Sequence, residues 1–229
     1  MILFHRKVLF RVPFILSTFA MVYFDIHTHH RRSENAVLNC QNELSELGYC
    51  SIGIHPWHIE ADNEKRFEVV RQLAHSPQAV AIGEAGLDKA IQTPLLVQQH
   101  VFEKHVQLAE ELSKPLIIHC VKAWDELLRI YRQSKRTTPW IIHGFRGKAP
   151  LASQLIRHGF YLSFGKHFHP EALREAWPNN ILAETDEAES ISSVYHEIAN
   201  VLMLSPKEVD RQIFRNVEQL FQHNISIKK

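Results

Sequence analysis

The sequence predicts a single-domain α/β barrel of the TIM type, and three features support that fold class. Short runs of β-branched and aliphatic residues alternate with longer helical stretches, which is typical of parallel strands joined by crossover helices. Five of these runs end on a metal-binding or carboxylate side chain, and a parallel barrel builds its active site at the C-terminal ends of its strands. The 229 residues, 45% of them hydrophobic, suffice for one sizeable core without a second domain.

In each of the five cases, one or two metal-binding residues follow the end of an apolar run. They are His27 and His29 after 22–26, Glu84 after 79–83, His119 after 115–118, His143 after 139–142, and Asp186 after 180–185. Four imidazoles and two carboxylates that meet at one end of a barrel are suited to a hydrolytic site with two metal ions.

The chemistry of each residue type fits a metal centre. His27 and His29 are two apart on an extended segment, so both point to the same side of the sheet. Glu84 has two carboxylate oxygens and can bridge two cations, and Gly83 and Gly86 allow close backbone approach around it. Asp186 can serve as ligand and general base together. A lone His at a strand end is more often hydrogen-bonded core than ligand, but His119 and His143 end two similar segments.

The helix expected at 94–112 carries Val101, His105 and Leu108 on one face. The region between His29 and Cys50 is short by comparison, because a parallel crossover takes a dozen or more residues and 36–40 can itself form a strand. We therefore expect either eight strands with an abbreviated first quarter or seven good strands.

Residues 1–20 are excluded from the fold prediction. They carry basic residues and then an apolar stretch at 12–20, which is too short to span a bilayer. They are either a short signal-like leader or a mis-called start, and the sequence favours translation from Met21, which gives a barrel domain over 21–229. Three irregularly spaced cysteines suit a reducing cytoplasm.

The net charge of +1 gives no strong electrostatic attraction to nucleic acid over the whole molecule. Cations nevertheless follow the strand endings, and we expect Lys122 and Arg146 to contact a substrate phosphate. The other cations in such positions are Lys89, Lys148 and Lys166. Surface loops carry Lys and Arg in any case, so the pattern alone does not prove a phosphate site.

Six segments together resemble the TatD family of metal-dependent hydrolases, within the wider amidohydrolase-like barrels. They are 24–29, 53–57, 82–88, 116–120, 142–147 and 182–186, in the family's order along 22–221. The resemblance implies that one cation is held by His27, His29, Glu84 and Asp186, and the other by Glu84, His119 and His143. It implies phosphodiester hydrolysis, often at DNA ends. His55 lies in a matching loop, so we expect it to contact substrate or to lie just behind the metal ligands.

Departures from the family concern the loops. The segment between His29 and Gly53 is short, Glu187 to Ile191 replaces a proline-rich loop, and Lys122 stands where many members have Arg. The expected ions are Zn²⁺, Mn²⁺ or Mg²⁺. The expected partner is single-stranded DNA, a DNA end or a small phosphodiester, with no stable protein partner and no membrane. Alternatives are a lactone, amide or ester hydrolase with the same metals, and a metal-binding scaffold without turnover.

Overall fold

A computed structural model describes residues 21–30, 33–45, 48–221 and 225, and its core is an eight-stranded parallel sheet. Residues 1–20, and with them the expected leader, lie outside the described residues. The strands are hydrogen-bonded in chain order, which confirms the predicted barrel. They are β1 (Asp25–Thr28), β2 (Ala36–Cys40), β3 (Tyr49–Ile52), β4 (Ala79–Asp88), β5 (Leu116–Val121), β6 (Trp140–Ile142), β7 (Tyr161–Phe164) and β8 (Ile181–Ala183).

Seven α-helices of the described chain accompany these strands, and none is long and apolar enough to cross a membrane. A short 3-10 helix, Pro56–His58, follows β3. The α-helices are α1 (Asn63–Ala74), α2 (Leu95–Leu112), α3 (Trp124–Gln133), α4 (Ala149–Arg157), α5 (Pro170–Ala176), α6 (Ile191–Leu202) and α7 (Pro206–Phe221).

The first quarter of the barrel is abbreviated, as predicted. Among the residues described between β1 and β3 there is no α-helix, and the first one, α1, comes only after β3. The strand count, which the sequence left at seven or eight, is eight because the segment 36–40 pairs in parallel with both β1 and β3.

Strands β4 and β5 run further than the sequence suggested, so that Glu84 and His119 lie within strands rather than after them. The glycine pair on β4 permits this extension. A Cβ on Gly83 would lie 2.3 Å from the carbonyl oxygen of Ile117, and one on Gly86 would lie 1.9 Å from that of His119. Both glycines also have positive φ angles, +126° and +157°. Only glycine fits there, and this close approach continues the β4–β5 pairing past Glu84.

The barrel closes where β1 meets the segment after β8. The Asp186 amide donates to the carbonyl oxygen of His27 at 3.0 Å, and the His29 amide donates to that of Asp186 at 3.1 Å. The buried Asp25 carboxylate accepts hydrogen bonds from the Thr185 amide and hydroxyl. Burial raises the pKa of Asp25 to about 7, although the bonds from Thr185 act against the rise. This closure sets Asp186 beside His27 and His29.

The start of β1 is held by the C-terminal helices. The Asp210 carboxylate on α7 accepts from the amides of Val22 and Tyr23, and the Tyr195 hydroxyl on α6 donates to the carbonyl oxygen of Phe24 at 2.9 Å. These contacts fix the register of the strand that carries His27.

Candidate metal centre

Glu84 is at the centre of the candidate site, and the structure brings all six predicted metal ligands together around it. Its side chain is buried, with 3% of its surface exposed. Oε2 faces β1, at 3.4 Å from Nε2 of His27 and 3.6 Å from Nε2 of His29. Oε1 faces the other way, at 2.7 Å from Nε2 of His143 and 3.1 Å from Nδ1 of His119. Two predicted ligand histidines therefore face each carboxylate oxygen, and His55 also lies against Oε1.

Asp186 completes the first of these groups. Its Oδ1 lies 3.5 Å from Nε2 of His29 and 3.9 Å from Nε2 of His27. About a third of its side chain is exposed, 32%, whereas Glu84 is closed off. Its backbone has a φ of +55°, a conformation that Asp tolerates better than most residues. The carboxylate is therefore open to solvent on one side and faces the imidazoles on the other.

The donor set fits a divalent cation. In the described part of the chain neither ring nitrogen of the buried His27 forms a hydrogen bond, although Nε2 lies near Glu84. A buried polar atom without a partner is costly in a folded protein. Imidazole nitrogen and carboxylate oxygen are the ligands that Zn²⁺ and Mn²⁺ accept. The described residues that could hold a metal ion form four overlapping groups: His27–Glu84–His143, His27–His29–Asp186, His55–Glu84–His119 and His143–Glu184–Asp186.

Charge coupling within the cluster is strong. Burial acts to raise the pKa of Glu84, but His143, His119 and His27 more than offset it and hold that pKa well below its usual range. Burial likewise acts to lower the pKa of His143, and the carboxylates of Glu84 and Glu184 reverse the effect, so the pKa lies well above its usual range. The carboxylate at the centre is therefore ionised throughout the physiological range.

Glu184 is a contact that the sequence analysis did not assign. It is fully buried on the strand end after β8, where Oε1 accepts from the Gly144 amide at 2.7 Å and lies 3.4 Å from Nδ1 of His143. A carboxylate behind a ligand imidazole fixes the ring orientation and tautomer. The available signal was the alternation in Glu184-Thr185-Asp186, which puts the two carboxylates on the same side of the chain.

Asn39 is a second contact that the sequence did not reveal. Its side-chain amide donates to Oε2 of Glu84 at 3.1 Å, and its side-chain carbonyl accepts from the Glu84 amide at 3.1 Å. A single Asn in a short strand carries no pattern that would have identified it. It orients the Glu84 carboxylate from the abbreviated part of the barrel.

His55 lies against Glu84, at 3.1 Å between Nε2 and Oε1. Its Nδ1 accepts from the Trp57 amide, so in the neutral ring the proton is on Nε2 and points to Glu84. Burial lowers the pKa of His55, against the opposing effect of Glu84. The structure therefore places His55 beside the metal-ligand candidates, and its expected contact with substrate stays a prediction.

The two cations expected to bind substrate differ in position. Arg146 is exposed and lines a cleft that it shares with Lys166, His167, Asp186 and Glu187. Lys122 is exposed beyond β5, with a left-handed φ of +56°, and is not among the residues of that cleft. Lys89 is paired with Glu126 at 2.8 Å. Of the predicted phosphate contacts, Arg146 is the one that the geometry brings to the side of Asp186.

Curated relatives match much of the chain. It is 28% identical over 199 residues to the uncharacterized metal-dependent hydrolase YabD of Bacillus subtilis, which covers 77% of this chain and 78% of that protein. It is 31% identical over 157 residues to the 3'-5' ssDNA/RNA exonuclease TatD of Erwinia tasmaniensis, which covers 60% of this chain and 58% of that protein. The chain thus spans just over half the length of the exonuclease.

The fold and the family agree with these relatives. The crystal structure of YJJV, a TATD homolog from Escherichia coli, superposes with a TM-score of 0.77 over 89% of this chain and 99% of that one, at 18% sequence identity. The family model described as TatD related DNase matches residues 16–222. The chain therefore belongs to the family of TatD-related DNases.

Proposed function

We propose that this chain hydrolyses phosphodiester bonds of nucleic acid, with single-stranded DNA or DNA ends as the substrate, by means of two divalent cations. The observation that carries the proposal is the position of Glu84, with His27 and His29 facing Oε2 and with His119, His143 and His55 facing Oε1. A single carboxylate flanked in this way is suited to join two cations.

Two sets of residues would hold the ions. His27, His29 and Asp186 would hold one, His119 and His143 the other, and Glu84 would contact both. Zn²⁺, Mn²⁺ and Mg²⁺ all accept parts of this donor set. Bound ions of this kind lower the pKa of water and stabilise charge on phosphoryl oxygens.

Asp186 is proposed as the general base. Its carboxylate is partly exposed and lies next to the imidazoles of His27 and His29, so it can accept a proton from a water that attacks phosphorus on the open side of the site. The closure of the barrel holds its backbone on both sides through hydrogen bonds to His27 and His29. Glu84 is buried behind it and stays ionised, so its part is to bind and orient.

Arg146 is proposed to bind a non-bridging phosphate oxygen, since it lines the same cleft as Asp186. Lys122 is proposed to reach the phosphate from the end of β5, and the exposure of its side chain supports this. The Erwinia relative's name, a 3'-5' ssDNA/RNA exonuclease, supports nucleic acid as the substrate class. Action in the cytoplasm stays a prediction.

The test is hydrolysis of a short single-stranded DNA by chelator-stripped protein that begins at Met21, with Mg²⁺, Mn²⁺, Zn²⁺ or Co²⁺ added back separately. We expect metal-dependent shortening of the strand, which Asp186→Asn reduces by at least 10²-fold because it removes the base. The matched control is Glu189→Gln, which neutralises an exposed carboxylate in the same loop.

Three results would contradict the proposal. If the Asp186→Asn protein hydrolyses DNA at the wild-type rate, Asp186 is not the general base. If the metal-loaded protein cleaves lactones or amides but not DNA, its substrate is a carboxylic ester or amide rather than nucleic acid. Bound metal without any hydrolysis would favour a scaffold.

A further inference from the structure

Trp57 stands out at the mouth of the site because it is both exposed and anchored. It follows β3 in the short 3-10 helix, and 62% of its surface is accessible. Its indole Nε1 nevertheless donates to Oδ2 of Asp88 at 2.7 Å. Large aromatic residues with a satisfied N–H and an open ring are typical of binding surfaces.

The ring is held by contacts that lead back into the core. Asp88, the last residue of β4, is fixed by Gln98 of α2, whose side chain accepts from the Asp88 amide at 2.7 Å and donates to its carbonyl oxygen at 2.9 Å. The loop before Trp57 is fixed by His105, whose Nε2 accepts from the Ile54 amide at 3.0 Å. The indole ring of Trp57 is therefore held in one orientation. Little conformational entropy is lost when a ligand covers the ring.

The indole ring of Trp57 lies next to two histidines of the candidate metal centre. Its centroid lies 6.1 Å from that of His119 and 5.1 Å from that of His55, with both rings near perpendicular to it. A planar group attached to a phosphate bound at the centre would therefore lie within reach of the indole. In a nucleotide the base is separated from its phosphate by one sugar, so a nucleobase matches this arrangement.

We infer that Trp57 is a substrate-contact residue on which one unpaired nucleobase stacks next to the scissile phosphate. This inference rests on the proposed function and deepens it, since it specifies an unpaired base as part of the substrate. Stacking on an aromatic side chain accepts every base, because each has a π-face. A base inside a duplex is already stacked on its neighbours, so the surface favours single strands and frayed ends.

The test compares Trp57→Leu with Trp57→Phe. Both lose the hydrogen bond to Asp88, but only the phenylalanine variant keeps an aromatic ring. Stacking predicts that Trp57→Leu raises KM for a short single-stranded DNA about tenfold, whereas Trp57→Phe raises it much less. The same pattern is expected in the dissociation constant of a fluorescein-labelled strand, measured on the metal-loaded Asp186→Asn background. Leu96→Ala, an exposed apolar residue at the start of α2, is the control and should change neither quantity.

A strand in which the bases are replaced by abasic sites separates stacking from other roles. Wild-type protein should bind it more weakly than the intact strand, and Trp57→Leu should bind the two strands equally. Equal losses in the two Trp57 variants would overturn the inference, because the indole–Asp88 bond would then be what matters. Wild-type cleavage of DNA with no effect at Trp57 would overturn the inference and leave the proposed function standing. A wild-type protein that neither binds nor cleaves DNA would overturn both.

Discussion

At the scale of single residues, three carboxylates within one site have different surroundings and therefore different proposed tasks. Glu84 is enclosed by imidazoles and stays ionised. Asp186 is partly open to solvent, which suits a group that must exchange a proton with water. Glu184 is fully buried, and its Oε1 lies 3.4 Å from Nδ1 of His143. Exposure to solvent sets Asp186 apart from the two buried carboxylates, whereas the proposed tasks of Glu84 and Glu184 differ by the imidazoles that they contact.

Glu184 can be tested through its effect on metal binding. We expect Glu184→Gln to weaken divalent-metal binding by about 10–100-fold, because a carboxylate behind a ligand imidazole orients the ring and raises its basicity. Competition with a fluorescent chelator measures the change. Glu187→Gln is the comparison, since Glu187 is exposed and lies 3.9 Å from Nδ1 of His29. Equal metal affinity in wild type and Glu184→Gln would show that the Glu184 carboxylate is not needed to orient the imidazole of His143.

At the scale of the elements, the pairing of β4 with β5 positions Glu84 and His119, two of the six candidate ligands. Gly83 and Gly86 let the two strands approach so closely that Glu84, Asp88 and His119 come together on one side. The sequence predicts only that these glycines allow close backbone approach next to a strand end. The structure shows that they extend the strand instead.

Replacement of Gly86 tests this close approach. Gly86→Ala combines a φ of +157° with a Cβ only 1.9 Å from a carbonyl oxygen. We expect a loss of more than about 2 kcal/mol in the free energy of unfolding, since strain and displaced backbone add. Gly159→Ala is the matched control, because its φ is +86° but its Cβ would meet nothing within 4 Å. Its loss should be about 1 kcal/mol. Equal losses in urea unfolding would mean that the strand approach contributes nothing.

Helix α2 contributes a buried histidine whose charge state matters for stability. His105 donates from Nδ1 to the Val101 carbonyl oxygen and accepts at Nε2 from the Ile54 amide, so its ring must be neutral. Burial lowers its pKa to about 4. Because the folded pKa lies below the unfolded value of about 6.5, the unfolded chain binds the proton first. This contribution to stability is complete above pH 6.5 and is lost as the pH falls towards 4.

The corresponding prediction is a loss of about 2 kcal/mol of unfolding free energy between pH 6.5 and pH 5 from His105 alone. Denaturant unfolding at a series of pH values measures it. His105→Gln should flatten the dependence over this range, whereas His75→Gln, at an exposed position, should leave it as in wild type. If the His105→Gln protein keeps the full pH dependence, another group is responsible.

At the scale of the whole molecule, the sequence predicted the barrel and the six candidate ligands because both depend on the same pattern. Polar residues such as His119 and Asp186 are conspicuous when they interrupt or follow apolar runs. Asn39 and the ring contacts of His105 were not predictable, since a single polar residue within a strand or helix has no periodic signature. The count of eight strands stayed open because a strand such as Ala36–Cys40 without a following helix lacks the alternation that marks the rest.

The arrangement of the barrel also explains why distant segments make one site. Strands β1, β4, β5 and β6 and the segment after β8 deliver His27, Glu84, His119, His143 and Asp186 to the same end of the sheet. The segments that carry Trp57 and Arg146 follow strands at this end, and both residues are proposed to contact the substrate. The candidate ligands therefore lie on strands or directly after them, and the proposed substrate contacts lie in the segments that follow.

We propose that two cations bind at this end of the barrel and that both contact Glu84. Anomalous diffraction from crystals soaked in Zn²⁺ or Mn²⁺ tests it most directly. We predict two peaks per chain on opposite sides of the Glu84 carboxylate, one beside His27, His29 and Asp186 and the other beside His119 and His143. Crystals of His119→Ala should keep only the first peak. One peak in the wild type, or peaks that do not contact Glu84, would contradict the account.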